Sequence, residues 1–155
     1  MTGEVALGAL LREPALAALL DALDGRGEET RVVGGAVRNL LLGRPATDVD
    51  LATTATPDEV IRRARAVGFG TVPTGLDHGT VTVLVHGRPF EVTTLREDVE
   101  TDGRHAVVRF GRDFAADAAR RDFTINALSV GRGGRVHDTV GGLADLAAQI
   151  GRAHV

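Results

Sequence analysis

The 155-residue sequence contains no cysteine. Disulfides, thiolate metal sites, cysteine nucleophiles and iron–sulfur clusters are therefore excluded. Lysine is absent too, since all 18 basic residues are arginine. That removes a Walker-type phosphate loop and lysine Schiff-base chemistry, both of which need a lysine side chain. There is no tyrosine and no tryptophan, and five phenylalanines are too few to fill a core and also build an aromatic platform for stacked bases. Ser129 is the one serine and lies outside any Gly-x-Ser-x-Gly elbow, so a serine triad has no support. No apolar run approaches the ~18 residues of a membrane helix. The first residues, MTGEVALGAL, lack a basic segment followed by a long apolar one, so no signal peptide is expected and the cytoplasm is the default compartment. The net charge of −3 gives no overall basic footprint, and any contact with nucleic acid must be local.

What is present suits one globular domain. Hydrophobic residues make up 43% and charged residues 25%, enough for one core with a polar surface. Glu13 to Leu23 has Pro14 in its first turn and leucines at helical spacing, and predicts a helix within an N-terminal segment, 1–28. Thr30 to Val33 predicts a strand ending at Gly34-Gly35, and Ala36 to Leu42 a helix stopped by Gly43. Thr47 to Thr53 alternates and predicts a strand. Thr56-Pro57-Asp58-Glu59 combines a threonine cap, proline at the first helical position and acids in the first turn, so a helix runs to Val67. Phe69 to Pro73, Gly79 to Val85 and Pro89 to Leu95 predict strands, the last two joined as a hairpin by a tight turn at His86-Gly87. Glu97 to Val107 is polar without a period and predicts a loop. Asp113 to Arg121 predicts a helix, Arg135 to Asp138 a short strand and Gly142 to Gln149 a last helix. The order predicts an α+β domain with a mixed sheet.

Four features carry candidate chemistry. On a strand, Asp48 and Asp50 share one face while Val49 and Leu51 face the core. Two adjacent carboxylates repel unless a cation lies between them, and a hard divalent ion such as Mg²⁺ suits the pair; two aspartates on a solvated edge strand are the alternative. Gly34-Gly35 opens a helix whose backbone N–H groups can face a phosphate, with Arg38 one turn on; an ordinary strand–helix turn is the alternative. Glu91 joins the two aspartates if its strand neighbours theirs, and otherwise pairs with Arg88 or faces solvent. Arg120 and Arg121 can clamp a triphosphate bidentately, with Asp122 accepting from a ribose hydroxyl and Asn126 one turn on; alternatively, the arginines complement a helix dipole. The five histidines show no metal-ligand spacing.

Together, order and spacing are more specific than the parts. VGGAVRNLLLGRPATDVDLA (residues 33–52), PFEVTTLREDVETDGRHAVV (89–108) and RRDFTINALSV (120–130) resemble the signatures of the tRNA nucleotidyltransferase/poly(A) polymerase family, which includes the class II CCA-adding enzymes. The resemblance covers roughly Arg31 to Gln149. It implies a nucleotidyltransferase-fold mixed sheet flanked by helices over 29–149, with Asp48 and Asp50 holding catalytic Mg²⁺. Gly34, Gly35, Arg38, Arg121, Asp122 and Asn126 would bind the nucleotide, and 97–107 would be a loop that orders during catalysis. The implied reaction transfers CMP and AMP from CTP and ATP to the 3′ end of tRNA. A poly(A) polymerase, a partial C- or A-adding relative and a non-catalytic nucleotide-binding fragment are the alternatives. The sequence departs from the pattern at Asn39, where the family usually has Asp. It also ends at residues 150–155, IGRAHV, where the family continues into a neck that reads base edges. Because a common sequencing adapter encodes the same hexapeptide, a truncated reading frame is the expectation for this tail.

Overall fold

The computed structural model describes residues 3–45, 48–100, 106–119, 128–138 and 144. Two helices lead the chain, α1 (Gly3–Leu11) and α2 (Pro14–Leu23). The expected single helix is thus a pair. Pro14 starts α2, and the leucines at 16, 19, 20 and 23 are fully buried, the spacing of one apolar helix face. Truncating any one of them to alanine costs about 2–5 kcal/mol. Strand β1 (Thr30–Val33) and helix α3 (Gly35–Leu41) follow, joined by Gly34 at φ +73°, a conformation that costs any residue with a Cβ. Strand β2 is Asp50–Thr53, shorter than the predicted 47–53. Helix α4 (Pro57–Ala66) begins as its sequence dictates, with Thr56 Oγ1 accepting from the Glu59 N–H at 3.4 Å and Pro57 in the first turn.

Strand β3 (Gly70–Gly75), a short 3₁₀ turn, β4 (Thr80–Val85) and β5 (Arg88–Thr94) form a meander. The β4–β5 turn places His86 at φ +52° and Gly87 at φ +79°, the two left-handed residues of a twist-matched hairpin. The segment predicted as a loop is instead framed by paired strands, β6 (Arg96–Glu100) and β7 (Ala106–Phe110), with Glu97 opposite Arg109. A short α5 (Phe114–Ala119), β8 (Ser129–Gly131) and β9 (Val136–His137) complete the described elements. On sequence, Asp122 to Val130 either continues the preceding helix or turns into a strand, and the described part of that segment ends in β8. The predicted last helix lies outside the described residues except for Ala144, which is helical.

Seven strands make one sheet in the order β3-β4-β5-β2-β1-β8-β9. Every neighbouring pair is antiparallel except β2–β5. One face carries Val32, Leu51, Val81, Val83, Phe90 and Val92, all at most 1% exposed, and packs against the N-terminal helices in one core. On the other face a smaller cluster, Val33, Ala52 and Leu95, is covered by Phe114 of α5. The predicted carboxylates stand on that second face and are exposed.

Candidate functional site

The parallel pairing of β2 with β5 builds the site. It sets Asp50 directly opposite Glu91, and Leu51 opposite Val92. Alternation then decides the faces: Val49 and Leu51 are buried, whereas Asp48, Asp50 and Glu91 are exposed. Asp48 precedes β2 rather than lying in it, yet it keeps the predicted side. Asp48, Asp50 and Glu91 line one cavity of about 520 Å³ together with Thr82. Asp50 and Glu91 also line a second cavity of about 350 Å³, bounded by Gly34, Thr80, Thr93, Arg96 and Asp117. The two carboxylates therefore stand between two hollows. The alternative Glu91–Arg88 pair does not form: Arg88 pairs with Glu13 of the Glu13–Pro14 bend and lies 5.0 Å over the Phe90 ring.

Gly34 reaches the smaller cavity, and a Cβ built there would meet nothing within 4 Å. The turn thus leaves open room beside the carboxylates. Gly35 and Arg38 lie behind that turn and line neither cavity. The Arg38 guanidinium folds over Gly35, 3.3 Å from where a Cβ would stand, and donates to the Asn39 side chain at 3.2 Å. Arg121, Asp122 and Asn126 lie outside the described residues, as does Arg120. The sequence reading missed Arg96 and Asp117, whose carboxylate accepts the Arg96 backbone N–H at 3.3 Å. It also missed the hydroxyls of Thr80, Thr82 and Thr93. The signal for them was present: in TVTVLV the threonines alternate out of phase with the buried valines, the phase that also puts Glu91 outward.

The donor set suits a hard divalent cation. Among the described residues no group of three acidic or histidine side chains closes into a ready metal cage. An open carboxylate cluster beside empty volume is what an ion needs when one or two carboxylates hold it and water and phosphate oxygens complete its shell.

The opposite end of β1 and β2 is built differently. Arg63 is 5% exposed and donates to the carbonyls of Leu23 and Gly25 at 2.8 Å and of Arg26 at 3.0 Å, and to Glu59 at 2.9 Å. Arg112 donates to Glu28 at 2.9 Å and to the Gly27 carbonyl at 2.6 Å. Burial pushes the Glu28 carboxyl up, but hydrogen bonds from Thr54 and Arg112 and the charges of Arg112 and Arg63 outweigh it, and the net direction is down. Hydrogen bonds from Arg62 and Arg63 hold Glu59 at about 2.

Comparison with known proteins places this architecture. The poly(A) polymerase head-domain family matches residues 30–152. The chain is 50% identical over 119 residues to the mitochondrial CCA tRNA nucleotidyltransferase 1 of Danio rerio, covering 76% of this chain and 28% of that one. It is 45% identical over 137 residues to the CCA-adding enzyme of Leuconostoc citreum, covering 87% and 33%. The CCA-adding enzyme of Bacillus stearothermophilus in complex with CTP superposes with a TM-score of 0.76 at 38% identity, over 91% of this chain and 34% of that one. A tRNA nucleotidyltransferase complexed with a primer tRNA and an incoming ATP analog superposes with a TM-score of 0.70 at 29% identity, over 88% and 39%. The chain spans about a third of the length of these relatives. Its mixed sheet with flanking helices is the α+β nucleotidyltransferase fold, and the chain belongs to the poly(A) polymerase head-domain family.

Proposed function

We propose that this chain is the catalytic head of an RNA nucleotidyltransferase that transfers CMP and AMP from CTP and ATP to the 3′ end of tRNA. The observation that carries the reading is the register of Asp50 opposite Glu91 on parallel strands, with Asp48 beside them at the rim of two cavities. In the reaction the 3′-hydroxyl oxygen of the RNA bonds to the α-phosphorus, the bond to the bridging oxygen breaks, and pyrophosphate leaves. Nucleotidyltransferases of this family use divalent metal ions; we take the ion to be Mg²⁺, held by Asp48 and Asp50, and when bound it neutralises phosphate charge and acidifies the attacking hydroxyl. Glu91 adds a third carboxylate to that cluster, facing the same cation. The bare turn at Gly34 lets a phosphate approach the backbone closely. Arg121, Asp122 and Asn126 are assigned to the triphosphate and ribose, with Gly35 and Arg38 supporting the turn. The cytoplasm is the compartment of the same reading.

The test is incorporation of radiolabelled CTP and ATP into tRNA lacking its terminal CCA, with Mg²⁺ and with chelator. Metal-dependent incorporation is expected, and Asp48→Ala or Asp50→Ala abolishes it. Retained activity in both variants overturns the assignment. Sequencing the product separates ordered C-C-A addition from a run of A, and nucleotide binding without incorporation identifies a non-catalytic head.

A further inference from the structure

The open face of the sheet carries a device that the carboxylates alone do not explain. Along the β3–β4 ladder Val72 pairs with Thr82 and Gly75 with Thr80. Three steps on β3 thus match two on β4, which is a bulge at Pro73–Thr74. A regular ladder would set Thr74 opposite Thr80. The bulge instead brings Thr74 Oγ1 to 2.9 Å from Thr82 Oγ1, while Thr80 Oγ1 lies 3.0 Å from Thr93 Oγ1. Four hydroxyls become two pairs, one beside each hollow. Thr80 and Thr93 line the smaller cavity with Gly34, and Thr82 lines the larger one with Asp48. Thr82 also stands directly opposite Glu91.

In nucleotidyl transfer the attacking and leaving oxygens lie roughly in line on opposite sides of the phosphorus. The RNA end and the nucleotide must then approach Asp50 and Glu91 from opposite sides. Gly34 and Asp117 of α5 bound the smaller cavity and fit it to the nucleotide. The larger cavity is left to the RNA end. A hydroxyl both donates and accepts. Whichever of the two hydroxyls donates, Thr82 keeps an acceptor lone pair for a ligand, and the contact with Thr74 holds its oxygen in place. The ribose 2′-hydroxyl has matching chemistry and is the group that distinguishes RNA from DNA. We propose that Thr82, oriented by Thr74, hydrogen-bonds the 2′-hydroxyl of the acceptor's terminal ribose and selects RNA ends over DNA ends. The inference rests on the nucleotidyl-transfer reading above.

The experiment gives the 155-residue chain Mg²⁺, CTP and two acceptor RNAs that differ by one terminal 2′-deoxy residue. The wild-type chain prefers the ribose end roughly tenfold, the scale of one hydrogen bond at a partly solvated site. Thr82→Val keeps the β-branched shape and brings the preference to about one, through a higher KM for the ribose-ended acceptor and an unaltered KM for CTP. Thr82→Ser restores the preference. Should Thr82→Val fold poorly, Thr74→Val, which leaves the Thr82 hydroxyl in place but unanchored, must still lower the preference severalfold. Equal use of both acceptors by the wild-type chain, an unchanged preference in these valine variants, or a raised KM for CTP overturns the assignment. In each of those cases incorporation itself persists and nucleotidyl transfer stands. No incorporation on either acceptor overturns both readings together.

Discussion

At one end of strands β1 and β2, Asp48, Asp50 and Glu91 turn their carboxylates to solvent beside two cavities. At the other end Glu28 and Glu59 hold theirs against Arg112, Arg62 and Arg63. The residue types are alike and the strands are the same. What differs is their surroundings. At the second end arginines drive the carboxyls of Glu28 and Glu59 down, and their charge goes into stability. At the first end the carboxylates line open volume, where the proposed reading seats a cation and a nucleotide.

The largest expected effect separates the two ends by function. Asp48→Asn should lower metal-dependent incorporation by a hundredfold or more, the scale on which one preorganised electrostatic group acts. Its thermal midpoint should stay near the wild-type value, since an exposed substitution changes stability by about ±0.5 kcal/mol. A large loss of stability in that variant, read by calorimetry, would erase the distinction. The converse change is Arg63→Met, which strips three carbonyls and Glu59 of a buried donor. It should cost about 3 kcal/mol and lower the melting midpoint by roughly 6–12 °C for a chain of this size. Incorporation measured well below that midpoint should hold.

A smaller effect follows from the lowered Glu28 carboxyl. A group whose folded pKa lies below its unfolded value of 4.5 adds stability above pH 4.5. That contribution disappears as pH falls through the folded value. Glu28→Gln should therefore be less stable than wild type at pH 7, with the gap in urea midpoint closing as pH falls below 4.5. A gap that stays constant with pH would assign Glu28 to packing rather than charge.

Much of this contrast was legible in the sequence, but unequally. The carboxylate side rests on alternation, a local property, and so Val49 and Leu51 inward with Asp48 and Asp50 outward could be read directly. The partnership with Glu91 needed one further fact, the adjacency of β2 and β5, which no local pattern reveals. The Arg63 clamp was illegible for a related reason: an arginine in the last turns of a helix reads as a solvated dipole partner, and its three carbonyl acceptors lie 37 to 40 residues away. Helix α1 escaped because Gly8 interrupts it and no capping residue announces it. The β6–β7 strands escaped because Arg96, Glu97 and Asp98 put three charges in a row with no alternation to read, and the pairing shows instead in the Glu97–Arg109 contact.

The finest probe of the comparison is His137, which pairs in register with Ser129 on the strand beside β1. Burial lowers its pKa from 6.5, the charges of Arg31 and Arg135 push the same way, and Glu29 opposes them. Because the unfolded chain takes up this proton first, the linked stability is present above pH 6.5 and is lost as pH falls through the folded value. Arg31 is itself anchored, with Glu29 at 2.5 Å and the Phe114 ring 3.9 Å away. A proton on His137 therefore presses on the residue that ties β1 to α5, on the flank of the smaller cavity. His137→Asn should flatten the stability profile as pH falls below 6.5, with a smaller change than either charged substitution at the arginine end, because one half-buried imidazole carries it. If the profile keeps its slope in that variant, the proton is taken up elsewhere. If incorporation at pH 7.5 falls as well, His137 acts on the carboxylate end itself, whose cross-strand row it shares through Ser129 and Val33 with Asp50.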